Sequence, residues 1–111
     1  MEKKLGKLEN VRFGIGGYND ACIGLLVTIS GDGWGVCSDR TTWDAKRIKH
    51  TERCKWTEEE RNASYSDIVH YISGLLAGAK VKSVDKLNGI PVEATFEKME
   101  LKSWRILTEV L

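Results

Sequence analysis

From Leu8 to Cys37 the chain alternates apolar residues with small or polar ones at a period of two, and the alternation breaks only where turn residues cluster. That period belongs to half-buried β-strands. Val11, Phe13 and Ile15 mark a first strand of about Leu8 to Gly16. Ile23, Leu25, Val27 and Ile29 mark a second, from Ala21 to Ser30. The Asp32-Gly33 dipeptide then calls for a tight hairpin turn into a third strand. A two-residue turn there sets Ile29 opposite Val36 and Thr28 opposite Cys37. A five-residue loop from Gly17 to Ala21 pairs Ile15 with Ile23, Phe13 with Leu25 and Val11 with Val27, which keeps one face apolar. A slip of one residue would turn that face outward. The same register collects Gly14, Gly16, Gly24 and Gly35 with Cys22, Leu26 and Cys37 on the opposite face. Glycine inside a strand marks close approach by a ligand or another backbone.

The second half of the chain changes period. Thr57-Glu58-Glu59-Glu60 is a capping box, and Tyr65, Ile68, Val69, Ile72, Leu75 and Leu76 recur at helical spacing behind it. Ser83 to Leu87 reads as one short helical turn closed by Asn88-Gly89. A last hairpin follows. A three-residue loop, Lys98 to Glu100, sets Ala94 opposite Trp104, Val92 opposite Ile106 and Glu93 opposite Arg105, an opposite-charge pair. The second strand of this hairpin extends to Val110 by its alternation. The expected fold is α+β, a single domain over 1–111: an antiparallel sheet of about five strands on one main helix, in the order β-β-β-α-short helix-β-β.

Composition narrows the function classes. With 17 Lys and Arg against 16 Asp and Glu the net charge is +1, which gives no extended nucleic-acid surface. No window approaches 18 uninterrupted apolar residues, so no membrane partner is expected. The basic residues of the Met1–Gly6 start have no apolar run behind them, so no secretory signal is read there and a cytoplasmic location is expected. Three widely spaced cysteines, Cys22, Cys37 and Cys54, read as reduced, mostly buried thiols. His50 and Cys54 stand at i,i+4 spacing, but a structural zinc site needs four ligands, so neither metal nor other cofactor is expected. Nucleophile, metal and dinucleotide motifs do not occur, and His50 and His70 lack obvious partners for acid-base work. Catalysis is therefore not expected.

A binding site is easier to build. The irregular stretch 39–56 is basic and flanked by Trp43 and Trp56. Flat aromatics beside cations suit a base and its phosphates. In that reading Trp43 or Trp56 stacks the base, Arg40, Arg47 and Lys55 neutralise phosphate, and Tyr18 and Asn19 of the neighbouring glycine-rich turn supply hydrogen bonds. The competing reading is that these tryptophans only pin the stretch to the core. Trp104 is placed on the core face by register, and Trp34 is open between core and site. The uncovered glycine face would suit a second copy, so a homodimer or higher oligomer is expected.

Four segments carry a resemblance: Phe13 to Tyr18, Gly33 to Val36, Lys55 to Arg61 and Leu101 to Leu111. Together they resemble short accessory proteins of tailed phages and prophages. The resemblance implies the cytoplasm of an infected bacterium and a role against host defences. That role would be a sponge sequestering a cyclic-oligonucleotide or ADP-ribose signal, or a module that binds and inhibits a host defence protein; the alternative to such a role is a minor structural or regulatory phage function.

Overall fold

The computed structural model describes residues 1–44, 46 and 57–111. Among them the alternating segments form one antiparallel sheet in the order β3-β2-β1-β4-β5. Its strands are β1 (Glu2–Gly16), β2 (Cys22–Gly31), β3 (Trp34–Trp43), β4 (Pro91–Glu97) and β5 (Glu100–Ile106), and the main helix is α1 (Glu58–Ala79). This is the α+β arrangement read from the sequence.

β1 is longer than its apolar pattern suggested. Residues 2–7 pair with β4 and residues 7–16 with β2, so the two hairpins are staggered along one central strand. The early half was missed because Lys3, Lys4 and Lys7 mask its alternation. A bulge joins the halves. Glu9 pairs with Thr28 and Arg12 with Leu26, so Asn10 and Val11 together face Val27. Asn10 takes φ 51, a left-handed conformation that asparagine tolerates better than most residues. The extra residue changes parity: Leu8 carries the core face before the bulge, and Val11, Phe13 and Ile15 carry it after. The Val11 amide is left without a ladder partner, and the Asn88 side-chain oxygen accepts from it at 3.0 Å.

The Asp32-Gly33 turn and the five-residue loop have the expected registers, with Ile29 opposite Val36 and Ile15 opposite Ile23. β3 corrects the reading of 39–43 as irregular, since those residues pair with β2 as far as Trp43 opposite Cys22. Threonines and polar side chains hid an edge strand that is apolar on neither side. The last hairpin keeps Ala94 opposite Trp104 and Glu93 opposite Arg105, but reaches that register differently. Its turn is the two residues Lys98 and Met99, and a one-residue shift between Thr95 and Phe96 restores the pairing. Beyond Ile106 the alternation does not continue as strand. Thr108–Val110 is a 3-10 turn, where Glu109 makes paired contacts with Arg105 at 3.0 and 3.1 Å. Arg105 holds the Glu109 carboxyl below its ordinary range by these hydrogen bonds.

The Lys98-Met99 turn yields a prediction. Both residues sit at positive φ, 53 and 67, where an L side chain crowds the following carbonyl. The double replacement Lys98→Asn with Met99→Gly supplies the residues that this turn favours. It is expected to stabilise the fold by about 1 kcal/mol, read as a higher urea midpoint. An unchanged or lower midpoint contradicts it.

The sheet curls so that its two edges approach across the concave face. Trp104 on β5 donates its indole N–H to the Ser38 hydroxyl on β3 at 3.1 Å. The core lies in this concavity around Leu8, Leu25, Ile29, Leu87 and Val92, all fully buried. Trp34 closes one end. Its ring packs edge-on against Phe96 at 5.4 Å and lies over Gly6 and Gly31, where a Cβ would sit within 3.1 Å of ring atoms. α1 closes the other end. Thr57 is its N-cap as read, with the Glu60 amide donating to the Thr57 hydroxyl at 3.1 Å. Ile68 and Ala79 are buried, and Tyr71, Ile72, Leu75 and Leu76 pack on the core. Val69 departs from the expected stripe and is 64% exposed.

Candidate functional site

α1 packs on the core through Tyr71, Ile72, Leu75, Leu76 and Ala79, while nearer its N-terminus Tyr65 is half-buried and Val69 exposed. A groove lies there between the helix and the end of the sheet nearest the β1–β2 turn. Phe13, Ile23 and Thr42 form its floor, and Tyr65, Ile68 and Val69 its helical wall. Asp44 and Lys46 stand at the margin, and this lobe encloses about 410 Å³. Its wall is almost wholly apolar. Phe13 is 48% exposed here although it continues the core face of β1, because the helix no longer covers it.

A second lobe of about 320 Å³ adjoins the first and shares Thr42 and Ile68 with it. Asp39, Arg40, Thr41, Ser64 and Asp67 line the rest, so this lobe is polar. Ser64 and Asp67 are three residues apart on α1 and share a face. The Arg40 guanidinium lies 5.2 Å from the centre of the Tyr71 ring, a cation-π contact that fixes its direction. Burial pushes the Tyr71 hydroxyl above its ordinary pKa, and Arg40 draws it partly back. Tyr71 is therefore a neutral donor throughout the physiological range. Asp44 is buried, and its carboxylate accepts from the Lys46 amide at 3.1 Å.

Of the residues singled out in the sequence, Asn19, Arg40 and Trp43 are described, and Arg40 and Trp43 lie on opposite faces of β3. Arg40 faces the groove. Trp43, three residues on along the same strand, faces the outer side, because an odd spacing on a strand crosses the sheet. It is 44% exposed there. Asn19 is exposed in the 3-10 turn Tyr18–Asp20 at the β1–β2 tip. The side chain of Tyr18, and the residues Arg47, Lys55 and Trp56, lie outside the described residues. So do His50 and Cys54.

The glycine face is occupied from within the chain at Gly14, Gly16 and Gly24 and is open at Gly35. The Arg12 guanidinium folds back to the Ile15 carbonyl at 3.1 Å and passes over Gly14. Leu26 leans over Gly16, and at Gly24 the β3 backbone approaches so closely that a Cβ would stand 2.3 Å from the Arg40 carbonyl oxygen. Cys22 is half-buried and Cys37 exposed, both as free thiols, which corrects the expectation of buried cysteines. Both alternate onto the outer face, which α1 does not cover. Among the described residues no group of three or more His, Cys, Asp or Glu gathers as a metal site. Nor is any described helix long and apolar enough to cross a membrane.

Sequence reasoning missed Phe13, Ile23, Thr42, Tyr65 and Val69 as groove residues. A signal was present. Apolar residues continue along β1, β2 and α1 past the point where the core is already filled by Leu8, Leu25, Ile29 and Leu76. The surplus lies at one end of all three elements.

Neither the protein-family models, nor the curated proteins, nor the solved structures compared with this chain give a match.

Proposed function

We propose that this chain is a non-catalytic binding protein that holds a nucleotide-type small molecule in the groove between α1 and the concave face of the sheet. One observation carries the reading: an apolar hollow and a polar hollow lie side by side, with Thr42 and Ile68 lining both. Each has a volume within the range of ligand pockets. A planar ring would lie among Phe13, Ile23, Tyr65 and Val69, and the polar remainder among Arg40, Thr42, Ser64 and Asp67. The resemblance to phage accessory proteins supports a setting in which such binding removes a nucleotide-derived signal from an infected cell.

The test is a thermal-shift screen against nucleotides, cyclic oligonucleotides and ADP-ribose derivatives. A ligand that binds only the folded state, present at a hundredfold excess over its dissociation constant, adds about 2.7 kcal/mol of stability. Val69→Glu places a carboxylate in the apolar lobe. Val69 is an exposed helix position, so the variant is expected to keep its own melting temperature within about 0.5 kcal/mol equivalent and to lose the ligand shift. Trp43→Ala, on the other side of the sheet, is expected to keep the shift. A screen without any shift overturns the reading.

The alternative is a module that binds a host protein through the outer face of the sheet. It is supported by Trp43, a large aromatic exposed on that face. A ligand shift abolished by Trp43→Ala and untouched by Val69→Glu would move the site to that face.

A further inference from the structure

Asn88 and Gly89 form the only Asn-Gly pair in the sequence. In a flexible chain this pair is the asparagine most open to deamidation, because glycine has no side chain to hinder its own amide nitrogen. The reaction needs water and nothing else. The Gly89 nitrogen attacks the Asn88 Cγ, and the new N–Cγ bond closes a cyclic imide. The Cγ–Nδ2 bond breaks, and the proton lost by the Gly89 amide leaves, in net, with the ammonia. Water then opens the imide. Attack at Cγ gives aspartate and restores the normal backbone. Attack at the backbone carbonyl carbon gives isoaspartate, whose main chain runs through Cβ and Cγ and is longer by one carbon.

In the fold, every group that must move for the first step is held. The Asn88 Oδ1 accepts from the Val11 amide at 3.0 Å, and Nδ2 donates to the Asp85 carbonyl at 3.0 Å. The attacking nitrogen is engaged as well, since the Gly89 amide donates to the Leu8 carbonyl at 2.7 Å. On either side of it the Leu8 amide donates to the Ile90 carbonyl and the Ile90 amide to the Leu87 carbonyl. Leu87 is fully buried and anchors the turn. Asn88 itself is exposed, so water reaches it freely. What restrains the reaction is the set of hydrogen bonds, not exclusion of solvent.

We infer that Asn88 is a latent modification site, closed to deamidation while its turn is formed and open to it when the turn lets go of β1. The two products differ in what they leave behind. Aspartate keeps an acceptor oxygen for the Val11 amide on an unchanged backbone. Isoaspartate lengthens the main chain between Leu87 and Gly89, so Leu87 in the core and Gly89 against Leu8 no longer fit together. A chain that reacts by that route does not regain its original turn. The site lies apart from the groove, and the inference does not depend on what the groove binds.

The experiment incubates the full chain in mildly alkaline buffer, folded and unfolded in urea, and follows conversion at Asn88 by peptide mass mapping. Conversion in the folded chain is expected to be slower by about a hundredfold, as when several hydrogen bonds must open together before reaction. Equal rates in the two states overturn the inference. The isoaspartyl chains are then separated by chromatography and returned to native buffer beside the Asn88→Asp variant. They are expected to unfold at a lower urea midpoint than Asn88→Asp and to exchange the Val11 amide faster. Isoaspartyl chains that match Asn88→Asp in both overturn the claim that the turn is lost.

Discussion

Gly24→Ala is expected to destabilise the protein by about 3 kcal/mol, at the upper end of what overpacking one methyl group costs. The new Cβ would stand 2.3 Å from the Arg40 carbonyl oxygen and 2.7 Å from the Thr41 Cα. Both are backbone atoms of the paired strand. A side chain in that position would rotate away, but a ladder carbonyl moves only if β2 and β3 separate. The control is Gly14→Ala, on the same face of the sheet. There the nearest atom is the tip of the Arg12 side chain at 3.2 Å, which swings aside. Gly14→Ala is expected within about 0.5 kcal/mol of the parent protein. Urea unfolding reads both. The Gly24→Ala midpoint falls while the slope stays constant, because the surface exposed on unfolding is the same. If the two variants unfold together, the close approach at Gly24 is not what the β2–β3 ladder depends on.

Asn88→Ala is expected to destabilise by about 2 kcal/mol, through an atom far from it in sequence. The bulge at Asn10 and Val11 removes the Val11 N–H from the ladder, and Asn88 is its acceptor. Val11 is only 7% exposed, so water does not readily replace the lost partner. A buried donor left unpaired carries its full desolvation penalty. Asn88 is itself fixed, since its amide nitrogen donates to the Asp85 carbonyl at 3.0 Å. Asn88→Asp keeps the acceptor oxygen for Val11 and gives up the Asp85 contact, so it is expected to lose less. Hydrogen exchange identifies the cause: in Asn88→Ala the Val11 amide exchanges faster by more than the global loss of stability explains. Unchanged protection at Val11 would mean that Asn88 acts only by closing its own turn.

Much of this fold was legible wherever a local rule and a packing rule agreed. The Asp32-Gly33 turn fixed the β2–β3 register by itself. In the last hairpin, the core pair Ala94–Trp104 and the charge pair Glu93–Arg105 required the same alignment. The bulge was not legible. Asn10 is an ordinary polar residue until the parity on either side is compared, and that comparison needs β4 to show that residues 2–7 form a strand. β3 beyond Ser38 was hidden because an edge strand with polar side chains on both faces has no hydrophobic period. The same loss of parity shaped the reading of the site. Arg40 and Trp43 look adjacent in a loop, but as strand residues they occupy opposite faces. The groove itself is lined from β1, β2, β3 and α1 together, a tertiary juxtaposition that no short window encodes.

The stagger along β1 has a consequence for synthesis. By the time Trp43 has left the ribosome, residues 7–16 have their partners in β2, and β3 is present to extend that ladder. Residues 2–7 do not, because their partners are residues 91–96. Through the making of α1 and the turn after it, the N-terminal half of the central strand remains an unpaired edge. Such an edge invites pairing with another nascent chain. Lys3, Lys4 and Lys7 fall within this waiting segment, and charged side chains are what natural sheets place on edges to prevent that event. The charges that obscure this strand in the sequence also guard it until β4 arrives.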